Sequence, residues 1–186
     1  MQSRVTFIAA ASTAATRAGA FPADEGLDVF GKKDAAALAK RLRRSGPALT
    51  SPAVRALETA SALGLDPVVD EELRDLDLGR WAGCTLNNVA EREPESFKCW
   101  LSDPAAHPHG GESVEALVSR IAIWLNGVLP RQENIVAITH PAVMRAAAVA
   151  AIHADPMTFW HIDIGPLAVL ELSSNGRRWM LRGLEN

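Results

Sequence analysis

A three-layer α/β/α sandwich, with a mostly parallel central sheet and a C-terminal antiparallel hairpin, is the fold class that the sequence predicts. Three observations carry it. Short apolar runs alternate with alanine- and leucine-rich segments at helical spacing, the pattern of strands covered on both faces by helices. Two strand-to-helix junctions, Ser51-Pro52 and His140-Pro141, place a proline in the first turn directly after a capping position. Near the end, Asn175-Gly176 separates two apolar runs, which is the strongest short hairpin signal.

Taken in order, Val5-Thr6-Phe7-Ile8 reads as a buried strand rather than the core of a secretory signal. The apolar run to Ala11 is short, lacks leucine and follows a single positive charge. A polar stretch over 12–31 precedes a helix expected from Asp34 to Arg44, with basic residues in its last turn and Gly46-Pro47 beyond its end. Pro47 to Thr50 and Val68-Val69 read as short strands on either side of a helix over Ala53 to Leu63. Leu73 to Gly83 mixes apolar and acidic residues too finely for a strand or a linker and reads as an ordered loop. Residues 91–108, with Pro94, Pro104, Pro108 and Trp100, suggest a short helix and a lid-like excursion. Ser113 to Leu129 is an amphipathic helix with Val114, Leu117, Ile121 and Leu125 on one side. Asn134 to Thr139 is the clearest buried strand, Ala142 to Ile152 an alanine-rich helix, and Pro166 to Leu172 with Arg177 to Arg182 the hairpin. With no repeat or linker, the reading is one domain over 1–186.

Composition narrows the function. The 186 residues hold 19 Lys and Arg against 22 Asp and Glu, a net charge of −3. Such a chain has no general field for nucleic acid or an anionic membrane, so any anion site must be local. Cys84 and Cys99 make no disulfide framework and have no metal-ligand spacing, which fits a reducing, cytoplasmic setting. No apolar run approaches the roughly 20 residues of a membrane helix. Neither a metal nor a cofactor is expected, and the sequence leaves homo-oligomerisation open.

Ligands in such a sheet gather beyond the carboxyl ends of the strands. Three junctions qualify: Ile8 to Thr13, Thr50 to Arg55, and Thr139 to Pro141. At the second, a Ser cap, free backbone N–H groups and Arg55 are suited to cradle an anion. With His140 at the third, they make a phosphate pocket. The remaining histidines, His107, His109, His153 and His161, read as rim or structural residues, and Trp81 and Trp100 as packing for the loop and lid.

Several segments together resemble the histidine phosphatase superfamily, the phosphoglycerate mutase-like family. These are Ser51-Pro52 with Arg55-Ala56 and Thr59-Ala60; Leu73, Asp75, Asp77, Gly79, Trp81 and Gly83; Gly110 to Ser113; and Val136 to His140 followed by Val143-Met144-Arg145. The resemblance covers nearly the whole chain in the right order. It implies a phosphoglycerate mutase-like fold, phosphate binding by Arg55 and His140, and a proton donor at Asp75, where the family usually has glutamate. One motif departs. Directly after its first strand the family places arginine-histidine-glycine, whose histidine attacks phosphorus; the register here puts Ala9, Ala10 and Ala11 at those positions. A methyl group has no lone pair, and losing a covalent nucleophile can cost on the order of 10⁶ in turnover.

Ser12 and Thr13 complete the expected phosphate-binding set; as substitute nucleophiles they need a base, for which His140 is the nearby candidate. The sequence thus predicts an inactive or strongly impaired phosphomonoesterase that retains binding of phosphate or a phosphorylated small molecule. Two rivals stand beside it: a hydrolase with a rearranged site, in which Asp75 or His140 activates water, and a structural or partner-binding protein with a relic pocket.

Overall fold

The computed structural model describes residues 3–42, 46–131 and 133–186. Its elements run β1 (Ser3–Ala9), α1 (Ala14–Arg17), α2 (Val29–Ala39), β2 (Ala48–Thr50), α3 (Val54–Ala62), β3 (Val68–Val69), α4 (Leu86–Arg92), α5 (Pro94–Ser102), α6 (Val114–Val128), β4 (Asn134–Thr139), α7 (Pro141–Ile152), β5 (Val169–Ser174) and β6 (Trp179–Glu185).

One six-stranded sheet has the order β3-β2-β4-β1-β5-β6. The first four strands in that order pair in parallel, and β5 and β6 add antiparallel pairs. Strand β1 explains why its sequence reads as a continuous apolar run: Val5, Phe7 and Ala9 face the layer built by α6 and α7, while Ile8 faces Ala56, Ala60 and Leu63 of α3. Register decides where the junctions fall. Ala9 pairs with Thr139 and Thr50 with Ile138, so the ends of β1, β2 and β4 lie side by side. The sandwich, the parallel sheet and the terminal hairpin are all as the sequence predicts.

Several boundaries differ, among them those of the hairpin strands, which run Val169–Ser174 and Trp179–Glu185. Helix α2 begins at Val29 rather than Asp34, because Asp28 caps it by accepting the Gly31 N–H at 2.6 Å. Val29 and Phe30 are exposed and carry no core-facing period, which hides this first turn from a pattern search. The helix ends at Ala39, and the predicted basic end at Arg43-Arg44 lies outside the described residues. The region over 91–108 holds the short helix α5, as expected, and a further short helix, α4, precedes it.

Gly31 marks how closely α2 approaches the first junction, since a Cβ there would lie 2.3 Å from the Ser12 carbonyl oxygen. Gly31→Ala is therefore expected to destabilise the fold by about 1–3 kcal/mol through overpacking. Helix propensity alone gives the opposite sign, a gain of about 1 kcal/mol. Urea unfolding of the single variant decides between them.

Candidate functional site

At the end of β1 the backbone is fully engaged. Ala9 N–H donates to Ala168 O, Ala10 N–H to Thr139 O and Ala11 N–H to the Thr59 hydroxyl, at 3.0, 2.7 and 3.0 Å. All three alanines are buried. Ala9 turns its methyl into the core beside α6 and α7, whereas Ala10 and Ala11 line a cavity of about 190 Å³.

The same cavity collects Arg55, Asp75 and His140, as the sequence predicts. Arg55 Nη2 meets Asp75 Oδ2 at 2.6 Å, and its Nη1 donates to Ala23 O at 2.6 Å. Asp75 Oδ1 accepts the Leu76 N–H at 2.8 Å. His140 is fully buried, with Nε2 2.7 Å from the Ser51 hydroxyl and Nδ1 3.5 Å from Asp75 Oδ2 without a hydrogen bond.

A buried clamp places Asp75. Glu112 and Arg120 form a bidentate pair at 2.8 and 2.7 Å, and Arg120 Nη1 donates to the carbonyls of Glu72 and Arg74. Thr139 adds a bond from its hydroxyl to Leu73 O at 2.7 Å. The Gly110-Gly111-Glu112-Ser113 run is thereby explained: a Cβ on Gly111 would lie 2.1 Å from Asp77 O, Glu112 N–H donates to that same oxygen, and Ser113 caps α6.

The electrostatics depart from expectation. Burial pulls the His140 pKa down to about 4, outweighing the opposing Asp75 charge and assisted by Arg55 and Arg120. At neutral pH the ring is a neutral imidazole beside a carboxylate, so it adds no positive charge to the expected phosphate pocket. The N–H groups at the start of α3 are not free either. Asp24 Oδ1 accepts from Val54 N–H at 2.9 Å and the Ser51 hydroxyl from Ala53 N–H at 3.3 Å; Ala53, not Ser51, is the capping residue. Ser12 and Thr13, placed in the phosphate-binding set by the sequence, do not line the cavity. The Ser12 hydroxyl binds Asp28, while Thr13 caps α1 and donates to Glu25.

The reading of single motifs misses the apolar wall and one cation. Phe21, Trp100, Phe159 and Trp160 line the cavity, the last two from a 3₁₀ turn over Pro156–His161 that has no periodic signal. Arg145 also lines it, four residues after Pro141 and so on the same helix face. Its Nε donates to Ile162 O at 2.7 Å, and no ion pair to it forms among the described residues. Burial lowers its pKa from the ordinary arginine value, against the charges of Asp163 and Asp75.

The other histidines stay outside the cavity. His107, His153 and His161 are exposed. His109 is buried against Trp81 and Trp100, where its Nδ1 accepts the Gly111 N–H at 3.0 Å. No group of three or more His, Cys, Asp or Glu side chains is arranged for a metal among the described residues.

The mostly parallel sheet and the residues gathered at its strand ends define a three-layer α/β protein, and comparison gives the family. Residues 11–186 match the profile of the histidine phosphatase superfamily (branch 1), and the chain belongs to that superfamily. It is 33% identical over 173 residues to glucosyl-3-phosphoglycerate phosphatase of Mycolicibacterium vanbaalenii, covering 83% of this chain and 76% of that protein. It is 33% identical over 146 residues to phosphoserine phosphatase 1 of Hydrogenobacter thermophilus, covering 74% and 69%. It is 31% identical over 162 residues to bifunctional protein Rv2228c of Mycobacterium tuberculosis, covering 81% of this chain but only 44% of that longer relative. Among solved structures, a mutant phosphoserine phosphatase from Entamoeba histolytica in complex with phosphoserine shares the fold at a TM-score of 0.89, with 19% identity and coverage of 99% and 97%. Among the described residues no helix is long and apolar enough to cross a membrane.

Proposed function

We propose that this chain is a pseudoenzyme of the histidine phosphatase fold, one that binds a small anionic molecule without hydrolysing phosphomonoesters. The observation that carries the reading is the methyl group of Ala10 in the cavity beside Arg55 and His140, at the position where the family resemblance puts the attacking histidine. Nothing nearby replaces it. The hydroxyls of Ser12 and Thr13 are bound to carboxylates away from the cavity. Ser51, His140 and Asp75 follow one another in the order of a serine hydrolase triad. Ser51, however, is fully buried and outside the cavity lining, and His140 Nδ1 forms no hydrogen bond to Asp75. A nucleophile must reach its substrate.

Binding is supported by the retained cavity and by the solved Entamoeba protein, whose mutant exchanges a histidine for alanine and was captured with phosphoserine. Inorganic phosphate or a phosphorylated metabolite remains one ligand class on this reading. The free thiols of Cys84 and Cys99, the latter exposed, support a reducing, cytoplasmic setting.

The test is hydrolysis of p-nitrophenyl phosphate and phosphoserine by the wild-type protein, with acid quenching to trap a phosphoenzyme. The expected result is no turnover above buffer and no acid-labile phosphate on the protein. Turnover that Asp75→Asn or His140→Ala abolishes would establish the rearranged hydrolase instead.

A further inference from the structure

The cavity is an unusual host for phosphate. Of the charged groups that line it, Arg55 and Asp75 neutralise one another at 2.6 Å, and His140 is uncharged at neutral pH. Arg145 adds a positive charge that forms no ion pair among the described residues, with Asp163 the acid acting on it most strongly. A phosphomonoester carries nearly two negative charges at neutral pH, so it would bring an unbalanced one into a half-enclosed, mostly apolar space, which is costly. A carboxylate carries one.

Size and wall chemistry narrow the ligand further. Phe21, Trp100, Phe159 and Trp160 line the cavity with aromatic rings, together with Leu78 and Pro22. An apolar cavity of about 150 Å³ is enough for benzene; about 190 Å³ therefore takes one aromatic ring with a short substituent. A second cleft shares Thr16, Pro141, Arg145 and Pro166 with the cavity, and the Arg145 guanidinium lies over the Phe159 ring, 5.6 Å from its centre.

From this geometry we infer that the cavity binds a single-ring aromatic monocarboxylate, its ring among Phe21, Trp100, Phe159 and Trp160 and its carboxylate on Arg145. The inference rests on the proposed non-catalytic reading of the cavity and names its ligand class. Arg145 acts as the anion partner, and the Ala10 methyl leaves the ring space that a larger side chain would occupy.

The test is calorimetric titration of the full chain with benzoate, phenylacetate, benzyl alcohol, phenyl phosphate and inorganic phosphate. Phenylacetate or benzoate is expected to bind with 1:1 stoichiometry, about tenfold to a hundredfold tighter than benzyl alcohol, since the difference is a charge-assisted hydrogen bond. Arg145→Met, which keeps bulk and removes charge, should erase that preference. Ala10→Leu, which puts a larger side chain into the cavity, should weaken the acid and the alcohol alike, and thermal melts of both variants establish that they are folded. No carboxylate preference in the wild type, or a preference that survives Arg145→Met, overturns the inference. Tighter binding of phenyl phosphate without turnover overturns the ligand class alone and leaves the non-catalytic reading standing; turnover of phenyl phosphate overturns that reading.

Discussion

Replacing Arg120 by alanine is expected to cost about 3–5 kcal/mol of folding stability, the range for a buried ion pair stripped of one partner. Both partners are largely buried, with side chains 8% and 13% exposed. Removal of the guanidinium strands the Glu112 carboxylate and also takes the donor from the carbonyls of Glu72 and Arg74. The loss falls on the loop that carries Asp75, so the variant should weaken ligand binding as well as the fold. The double replacement Arg120→Met with Glu112→Leu separates the causes. If the cost is mainly the uncompensated charge, the double variant recovers much of it, because a buried pair exchanged for apolar side chains is often neutral. A denaturant midpoint for Arg120→Ala within about 0.5 kcal/mol of wild type, the scale of ordinary surface changes, would show that the clamp is dispensable.

Acid should unfold this protein partly through His140. Its pKa is about 4 in the folded state, against an ordinary value of 6.5. Between those values the unfolded chain binds a proton that the folded chain refuses, so stability rises with pH across the window. The contribution is fully present above about pH 6.5 and is lost as pH falls toward 4. The gap corresponds to roughly 3 kcal/mol. Other groups titrate in acid as well, so the wild-type profile alone does not isolate the histidine. The comparison is the difference in unfolding free energy between pH 7 and pH 4.5 for wild type and His140→Gln. Wild type should lose more than the variant by about 2–3 kcal/mol, the larger part of that gap. Equal losses would mean that the imidazole accepts its proton in the folded state without penalty.

Much of the architecture is legible in the chain because its signals are local. A strand covered on both faces must be apolar at successive positions, as in Val5 to Ile8 and Ile135 to Ile138. The Asn175-Gly176 hairpin and the patterned face of α6 likewise follow from backbone and side-chain preferences over a few residues. The elements that escaped have weak local signals. The first turn of α2 is set by an Asp28 cap over exposed Val29 and Phe30, and the 3₁₀ turn carrying Phe159 and Trp160 has no period to detect.

The site divides in the same way. By itself the sequence determined which groups are present: alanines after the first strand, an arginine and a histidine beyond two others, and an acid on an ordered loop. It also determined that β1, β2 and β4 would deliver them to one place. Tertiary structure decided their charge. Asp75 closes on Arg55, Asp24 takes the N–H at the start of α3, and burial neutralises His140, each from a residue distant in the chain or from the depth of the cavity. A charge depends on neighbours and solvent exposure rather than on residue type. That is why the expected anion site combines a neutral His140, an Arg55 paired with Asp75, and an Arg145 that forms no ion pair among the described residues.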